Sequence, residues 1–240
     1  MNLLITLCAR GGSKGIPGKN IKCIHGKPLI RYSIALAKKL QAKYNAVIGL
    51  STDSLEIKRV VSQDRIETAY TRPDYLATDS AGKIDTIRDL ILYEEQEKNV
   101  KFDFILDLDV TSPLRTLEDV EQALEKLVEN PEAKNIFSVN PAGRNPYFNM
   151  VEANENGFYT LVKKGADGHA MTRQSAPKVY ELNASFYWYR RSFFDLGEQS
   201  AITDKSLIYE MKHICFDLDH DIDFLFMEYL LTQNMLDFEL

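Results

Sequence analysis

Short apolar runs alternate with amphipathic segments along most of the chain, and this alternation constrains the fold more than any other feature. Residues 3–8 form a continuous apolar run, which is typical of a strand buried on both faces. Further strands are predicted over residues 46–51, 104–108, 136–139, 183–189 and 213–216. We therefore expect an α/β fold with a mainly parallel, Rossmann-like sheet that is sandwiched by helices.

The helices are predicted from caps and from apolar faces. Pro28 is placed to open the first helix, because its missing N–H costs nothing at the first helical position. Thr116 is a suitable N-cap for a later helix, and a final helix is predicted over residues 222–232. The apolar faces of the two middle helices are Ile84, Ile87, Leu90 and Ile91 in one, and Leu117, Val120, Leu124, Leu127 and Val128 in the other.

The helical period disappears between residues 140 and 179, where the pattern indicates loop or extended hairpin. We therefore predict an α/β domain made of residues 1–139 and 180–240. Residues 140–179 are predicted to form a small irregular insertion that packs against a second subunit, so that the protein is a homodimer.

Polar side chains follow three of the predicted strands directly. They are Arg10, Asp53 and Asp109. Ligands of parallel α/β sheets bind at the carboxyl ends of the strands, so these side chains are predicted to converge on one site.

The first strand runs into a glycine-rich, basic loop that extends from Arg10 to Asn20. Its glycines let the backbone approach a ligand and turn N–H groups toward it. Arg10, Lys14 and Lys19 add positive charge, so the loop suits a triphosphate. The alternative is a flexible, solvated basic loop.

Two common phosphate motifs do not fit this loop. Five residues separate Gly12 from Gly18, one more than a Walker A loop allows, and Asn20 stands where Ser or Thr is required. No G-x-G-x-x-G sequence can be placed on it either, which excludes the dinucleotide fingerprint.

The densest acidic cluster lies near the C-terminus. Asp217 and Asp219 are two residues apart in a predicted strand end, so their side chains share one face. Such a pair suits Mg²⁺ or another divalent cation. Asp223 is interpreted as structural, since a carboxylate at this place caps the following helix.

Composition excludes several classes of protein. The formal net charge of −6 argues against a nucleic-acid partner. No stretch predicts a membrane span or a signal peptide. The three cysteines match no zinc spacing and favour a reducing compartment, so we expect a cytoplasmic protein.

The loop and several separated blocks together resemble the CMP-acylneuraminate synthetases, the cytidylyltransferases that activate sialic acid and its relatives. The resemblance covers almost the whole chain and implies the nucleotidyltransferase type of α/β fold. It implies that CTP is bound by Arg10, Gly11, Gly12, Ser13, Lys14, Lys19, Asn20, Arg72 and Asp79. It also implies the metal pair Asp217 and Asp219.

The same resemblance implies which residues surround the sugar acid. The block after the central strand supplies Thr111, Ser112 and Arg115. Arg173, Gln174 and Asn183 lie where the family has sugar- and phosphate-site residues.

Three positions of the implied sugar site depart from the sialic acid enzymes. Asp109 replaces a glutamine, Phe148 a lysine and Glu181 an arginine. The blocks around them look more like the bacterial branch that activates legionaminic acid, whose second acylamino group offers an N–H. We hypothesise that Asp109 or Glu181 accepts a hydrogen bond from it.

The expected reaction is attack of the anomeric hydroxyl of a nine-carbon sugar acid on the α-phosphate of CTP, with release of pyrophosphate. Arg10, Lys19, Asp217 and Asp219 are the expected catalytic residues. The general base stays open between a metal-bound hydroxide and one of the aspartates. The alternatives are activation of N-acetylneuraminic acid itself, activation of the eight-carbon Kdo, and a non-catalytic nucleotide-binding module.

Overall fold

The computed structural model describes residues 1–12, 15–165, 172 and 174–240. The chain divides into two compact units. The larger unit consists of Met1–Ser138 and Asn183–Leu240, and the smaller one of Val139–Leu182.

Ten strands and six helices are assigned in the described part of the chain. Two single 3₁₀ turns, Lys19–Ile21 and Asp74–Leu76, accompany them. In chain order the elements are β1 (Leu3–Cys8), β2 (Cys23–Ile24), β3 (Lys27–Pro28), α1 (Ile30–Tyr44), β4 (Val47–Ser51), α2 (Leu55–Ser62), α3 (Lys83–Lys98), β5 (Phe104–Leu108), α4 (Leu117–Glu129), β6 (Asn135–Pro141), β7 (Val151–Ala153), β8 (Tyr159–Leu161), β9 (Tyr180–Arg190), α5 (Arg191–Asp195), β10 (Ser206–Glu210) and α6 (Asp221–Thr232).

The main sheet has six strands in the order β10-β6-β9-β5-β1-β4. Strand β1 pairs in parallel with both β4 and β5, so that Ile5 lies opposite Ile48 on one side and Leu106 on the other. Strand β5 pairs with β9 in the antiparallel direction. The predicted α/β fold with a mainly parallel sheet is confirmed.

Alternation along β1 supplies a core on each face of the sheet. Leu3, Ile5 and Leu7 join the cluster formed with α1 and α4. Leu4 lies on the face that α3 covers, and Gly49 of β4 lies beside it. A Cβ at Gly49 would be 3.2 Å from Leu90 Cδ2 and 3.3 Å from Leu4 Cδ1, so the glycine lets α3 pack closely on the sheet.

Most predicted elements lie where the sequence pattern puts them. Strands β1 and β5 have the predicted bounds, and α4 starts after Thr116, whose Oγ1 accepts a hydrogen bond from the Asp119 N–H at 3.1 Å. Pro28 does not open α1, which starts at Ile30. Instead Pro28 pairs with Cys23 in the β2–β3 ladder, where a proline at the end of a short strand loses little.

The predicted strand over residues 213–216 is wrong. His213 is not part of a strand. Its side chain is held by contacts outside the sheet: Nε2 lies 2.8 Å from Asp119 Oδ2, and the ring centroid lies 3.8 Å from that of Phe238. One edge of the sheet is formed by β10, a strand that the sequence pattern did not predict.

The smaller unit contains the β7–β8 hairpin, in which Val151 pairs with Leu161. Asn154 shapes the turn, because its Oδ1 accepts hydrogen bonds from the N–H groups of Asn156 and Phe158, both at 3.0 Å. Phe158 and Tyr159 are both 72% exposed.

None of the helices that the structure describes is both long and apolar enough to cross a membrane.

Candidate active site

A cavity of about 310 Å³ lies where β1, β4 and β5 end, within the larger unit. Because the three strands are parallel, their carboxyl ends meet at one edge of the sheet. The walls include Arg10, Lys19, Asn20, Arg72 and Asp79 of the predicted CTP site. Asp109 and Thr111 of the predicted sugar site line the same cavity, which we call the strand-end cavity.

The glycine-rich loop is tied to β4 at its start. The Gly11 N–H donates to Asp53 Oδ1 at 2.8 Å, and a Cβ on Gly11 would come within 3.0 Å of Ser54 Cβ. Asn20 Nδ2 donates to the Arg10 carbonyl at 2.9 Å and so closes the loop from its other end. Ser13 and Lys14, both predicted to contact CTP, lie outside the described residues.

Two cations of the cavity are paired with acids. Arg10 Nη1 lies 2.8 Å from Asp79 Oδ1, and Lys19 Nζ lies 3.2 Å from Asp219 Oδ1. All four side chains are at least partly exposed, so the pairs can exchange their partners for phosphate oxygens. The second pair also brings the loop and the predicted metal ligands together.

Arg72 is held more rigidly. Its side chain donates to Ser51 Oγ at 3.0 Å and to the Ser51 carbonyl at 2.8 Å, and the residue is buried. Its backbone N–H donates to the Thr52 carbonyl at 3.0 Å, which fixes the start of the predicted pyrimidine segment beside β4.

A network of ionic groups stands at the end of β5. Buried Asp107 accepts a hydrogen bond from Thr6 Oγ1 at 2.8 Å, and its Oδ2 lies 2.8 Å from Lys83 Nζ. The same Nζ lies 2.6 Å from Asp109 Oδ2. Asp109 Oδ1 accepts from both the N–H and the Oγ1 of Thr111, each at 2.9 Å.

This network fixes the charges of its members. Removal from water lowers the pKa of Lys83, but the attraction of Asp107 and then Asp109 outweighs it and raises the pKa well above its ordinary value. Burial raises the pKa of Asp109, but Lys83 and the Thr111 hydrogen bonds outweigh it and lower the pKa. Both groups are therefore charged at neutral pH.

The sequence analysis did not predict Lys83 as a residue of the site, although its position in the sequence indicates a special role. It is the first residue of α3, where a cation is unfavourable beside the positive end of the helix dipole. A lysine at such a place indicates partners from elsewhere in the fold.

The acidic segment before α6 is not a strand, in contrast to the prediction. The Leu218 N–H donates to the Thr111 carbonyl at 2.9 Å, and the buried Leu218 side chain anchors the segment between Asp217 and Asp219. Asp223 Oδ2 accepts from the N–H groups of Asp219 at 2.9 Å and His220 at 2.7 Å, which agrees with a structural role for Asp223.

The charge around Asp217 suits a cation. Burial, and then the neighbouring charge of Asp109, raise the pKa of Asp217, so negative charge is in excess there. In residues 1–12, 15–165, 172 and 174–240 no group of three or more acids, histidines or cysteines is arranged to hold a metal by itself. A Mg²⁺ ion that keeps its waters and shares phosphate oxygens needs only one or two carboxylates, and Asp217 and Asp219 fit this need.

Cys8 lines the cavity but is not a nucleophile. Burial, and then the charge of Asp107, raise the pKa of the Cys8 thiol to about 12. The thiolate is the reactive form, so burial keeps Cys8 in its less reactive thiol form at neutral pH.

Three residues of the predicted sugar site belong instead to the protein interior. Arg115 Nη1 donates to the carbonyls of Asp109 at 2.9 Å and of Ser112 and Ser185 at 2.7 Å. Ser112 Oγ donates to the Phe216 carbonyl at 3.2 Å, and Asn183 Oδ1 accepts from Ser138 Oγ at 2.6 Å. Ser112, Arg115 and Asn183 are all buried and have structural hydrogen bonds, and their sugar contacts stay predictions.

The other predicted sugar residues belong to the smaller unit, where their sugar contacts stay predictions. Glu181 Oε2 accepts from the Gly143 N–H at 3.1 Å, and the Phe148 N–H donates to the Asn145 carbonyl at 3.0 Å. Gln174 is exposed. Arg173 lies outside the described residues.

A parallel sheet with a cationic glycine loop and a carboxylate pair at one edge defines a nucleotidyltransferase. The sequence model of the cytidylyltransferase family matches residues 4–236. The chain belongs to this family and is a CTP-dependent nucleotidyltransferase.

Two curated relatives match over nearly their full length. The CMP-N,N'-diacetyllegionaminic acid synthase of Campylobacter jejuni subsp. jejuni serotype O:2 is 38% identical to this chain. The match covers 96% of this chain and 95% of the length of the relative. The post-translational flagellin modification protein B of Campylobacter coli is 37% identical over 98% of this chain and 97% of its own.

A solved structure of a CMP:2-keto-3-deoxy-manno-octonic acid synthetase complexed with CTP has the same fold. It superposes with a TM-score of 0.67 at 16% identity and covers 98% of this chain and 100% of its own.

Proposed function

We propose that this enzyme transfers CMP from CTP to the anomeric hydroxyl of N,N'-diacetyllegionaminic acid and releases pyrophosphate. The observation that carries the proposal is the strand-end cavity, in which triphosphate-binding cations adjoin Asp109 and Thr111. The sugar is assigned from the departures at Asp109, Phe148 and Glu181. The name of the relative that is 38% identical supports it.

In this reaction the anomeric hydroxyl gives up its proton to a general base, its oxygen forms a bond to the α-phosphorus, and the bond from that phosphorus to the leaving pyrophosphate breaks. Negative charge grows on the pyrophosphate, and cations near it lower the barrier. Arg10 and Lys19 are proposed to stabilise this charge after they exchange Asp79 and Asp219 for phosphate oxygens. Gly11 and Gly12 allow the phosphates close to the backbone.

We propose Mg²⁺ as the cofactor, held by Asp217 and Asp219. When bound, it neutralises charge on the phosphate oxygens. The support for this assignment is the position of the acidic segment, whose Asp219 Oδ1 lies 3.2 Å from Lys19 Nζ of the strand-end cavity.

We propose that the enzyme is a cytoplasmic homodimer joined through the smaller unit. Exposed Val151, Phe158 and Tyr159 form an apolar surface on the β7–β8 hairpin that a partner subunit would cover. The cysteines Cys8, Cys23 and Cys215 are free thiols, which supports a reducing compartment. Light scattering should give a dimer for the wild type and a monomer for the Phe158→Ser, Tyr159→Ser double variant; a wild-type monomer contradicts the proposal.

The test of the reaction is pyrophosphate release from CTP and Mg²⁺ with three sugar acids: N,N'-diacetyllegionaminic, N-acetylneuraminic and Kdo. The proposal expects the highest kcat/KM with the first. A preference for N-acetylneuraminic acid would assign the enzyme to the sialic acid branch, to which a relative of 29% identity named N-acylneuraminate cytidylyltransferase belongs. No release with any sugar acid would overturn the proposed function.

A further inference from the structure

We infer that Lys83 is a positioning residue that determines specificity for the sugar acid, because it fixes Asp109 as an ionised hydrogen-bond acceptor in the strand-end cavity. This inference rests on the proposed function. It assigns a role to a side chain that neither the glycine-rich loop nor the acidic segment includes.

The ammonium group of Lys83 is held by three groups of the protein, although the side chain also lines the strand-end cavity and is 36% exposed. Its Nζ lies 2.8 Å from Asp107 Oδ2, 2.6 Å from Asp109 Oδ2 and 4.9 Å from the centre of the Tyr187 ring. It donates a hydrogen bond to Asp109 Oδ2 and forms a close ion pair with Asp107 Oδ2, and the Tyr187 ring adds a cation–π contact. Lys83 therefore differs from Arg10 and Lys19, whose partners are exposed acids at the surface of the cavity.

Asp109 is held from both of its oxygens. Thr111 donates twice to Oδ1, and Lys83 binds Oδ2. A carboxylate offers about four acceptor sites, so roughly one stays open for a ligand. Because Asp109 lines the cavity, its open site is available to a substrate.

The charge of the network decides what this site accepts. Asp107 is buried and Asp109 is 21% exposed, and Lys83 Nζ is the cation that lies within 3 Å of both carboxylates. An ionised carboxylate accepts hydrogen bonds and donates none. The group that meets Asp109 must therefore carry an N–H or O–H, as the acylamino and hydroxyl groups of a nonulosonic acid do.

Loss of the Lys83 charge would leave two adjacent acids without their cation. Without the contact from Lys83 Nζ to Oδ2, Asp109 would no longer present a fixed acceptor to the cavity. Lys83 thus acts on the sugar through Asp109, and the nucleotide cations Arg10, Lys19 and Arg72 are not part of its network.

The test compares Lys83→Met and Lys83→Arg with Lys98→Met, a matched control at the exposed end of the same helix. Steady-state kinetics should be measured separately for CTP, N,N'-diacetyllegionaminic acid and N-acetylneuraminic acid. We expect Lys83→Met to lower kcat/KM for the preferred sugar roughly 10- to 100-fold, as loss of a hydrogen bond to a charged group does. The KM for CTP should stay within about twofold, and the preference between the two sugars should fall.

Lys83→Arg should restore part of the preference, because it keeps the charge. Asp109→Asn provides a second route if Lys83→Met does not fold: Lys83 keeps its pair with Asp107, the acceptor changes, and the same loss of preference is expected. An unchanged sugar preference in both variants, or an effect on the KM for CTP alone, overturns the inference. Absence of turnover by the wild type would instead overturn the proposed function.

Discussion

Lys19 Nζ and Asp219 Oδ1 lie 3.2 Å apart, although 200 residues separate them along the chain. This pair joins the glycine-rich loop after β1 to the acidic segment before α6. The cation proposed to bind phosphate and the acid proposed to hold Mg²⁺ therefore occupy one site, as the proposed transfer of a nucleotidyl group requires.

The first prediction concerns Asp219. Asp219→Asn should reduce turnover at least about 100-fold, because the variant loses a charged ligand of the proposed Mg²⁺ ion. Pyrophosphate release is the first measurement. The second is the Mg²⁺-dependent rise in Tm with CTP bound, which should also disappear.

The matched control for Asp219 is Asp221→Asn. Asp221 is exposed and pairs with Lys22 at 3.1 Å, so its loss should leave both measurements close to those of the wild type. If Asp219→Asn retains the Mg²⁺-dependent stabilisation, Asp219 is not a metal ligand.

The second prediction separates two adjacent glycines. Gly11→Ala places a Cβ 3.0 Å from Ser54 Cβ and should displace the loop, lowering both Tm and affinity for CTP. The Cβ that Gly12→Ala adds meets nothing within 4 Å, so the Tm of this variant should equal that of the wild type. Calorimetric titration with CTP in the presence of Mg²⁺ then shows whether the phosphates approach Gly12. Equal Tm losses in the two variants would be at odds with the packing against Ser54.

The third prediction concerns Arg115. Arg115→Met removes one of the donors to each of the buried carbonyls of Asp109, Ser112 and Ser185, so the free energy of unfolding should fall by about 3 kcal/mol. Burial lowers the pKa of Arg115 to about 10, so the wild-type side chain stays charged at neutral pH. Urea unfolding provides the measurement, with exposed Arg59→Met as its control.

The buried hydrogen bonds of Arg115 also lead to a kinetic prediction. The fraction of Arg115→Met that folds should bind the sugar acid with a KM near that of the wild type. A stable variant with a much higher KM for the sugar would return Arg115 to the sugar site.

The fourth prediction is a pH dependence of stability from His213 and Asp119, whose atoms Nε2 and Oδ2 lie 2.8 Å apart. Burial lowers the pKa of His213, but the bond to Asp119 outweighs it, so the pKa lies above its ordinary value of 6.5. A raised pKa in the folded state stabilises the protein fully below 6.5, and this stability is lost as the pH rises through the folded pKa.

Asp119 contributes with the opposite sign. Burial raises its pKa, but the bonds from His213 and Thr116 outweigh burial and lower the pKa below 3.8. Its contribution is present above that value and is lost as the pH falls through the folded pKa. The pair therefore stabilises the fold most between these two limits.

Urea unfolding of His213→Gln over a pH series tests this pair. The variant should lose on the order of 1 kcal/mol below pH 6.5, where the wild type has a charged hydrogen bond, and less at higher pH. His25→Asn is a suitable control, because His25 is exposed and its positive φ of 49° suits asparagine. A loss that does not depend on pH would show that His213 contributes by packing alone.

The sequence predicts local structure well where a single local pattern of side chains determines the strand or helix. The apolar run of β1 and the cap at Thr116 are such cases. The segment at His213 is not, since its apolar neighbours suggest a strand while contacts with Asp119 and Phe238 decide its path.

The site was predicted unevenly for a similar reason. Residue type and spacing identify the loop from Arg10 to Asn20, because backbone approach and charge follow directly from them. They do not show that Arg115 points inward, nor that α3 carries Lys83 to Asp107 and Asp109, because both depend on how the helices pack on the sheet.

The cap that Asp223 provides has a consequence for the synthesis of the enzyme. Asp219 and His220 direct their N–H groups at Asp223 in the first turn of α6, so the acidic segment takes its shape only when that helix forms. Lys19 of the glycine-rich loop is translated 200 residues before Asp219, one of the carboxylates proposed to complete the site. A nascent polypeptide could thus collect nucleotide-binding groups early, but it would remain catalytically silent until α6 had left the ribosome and folded.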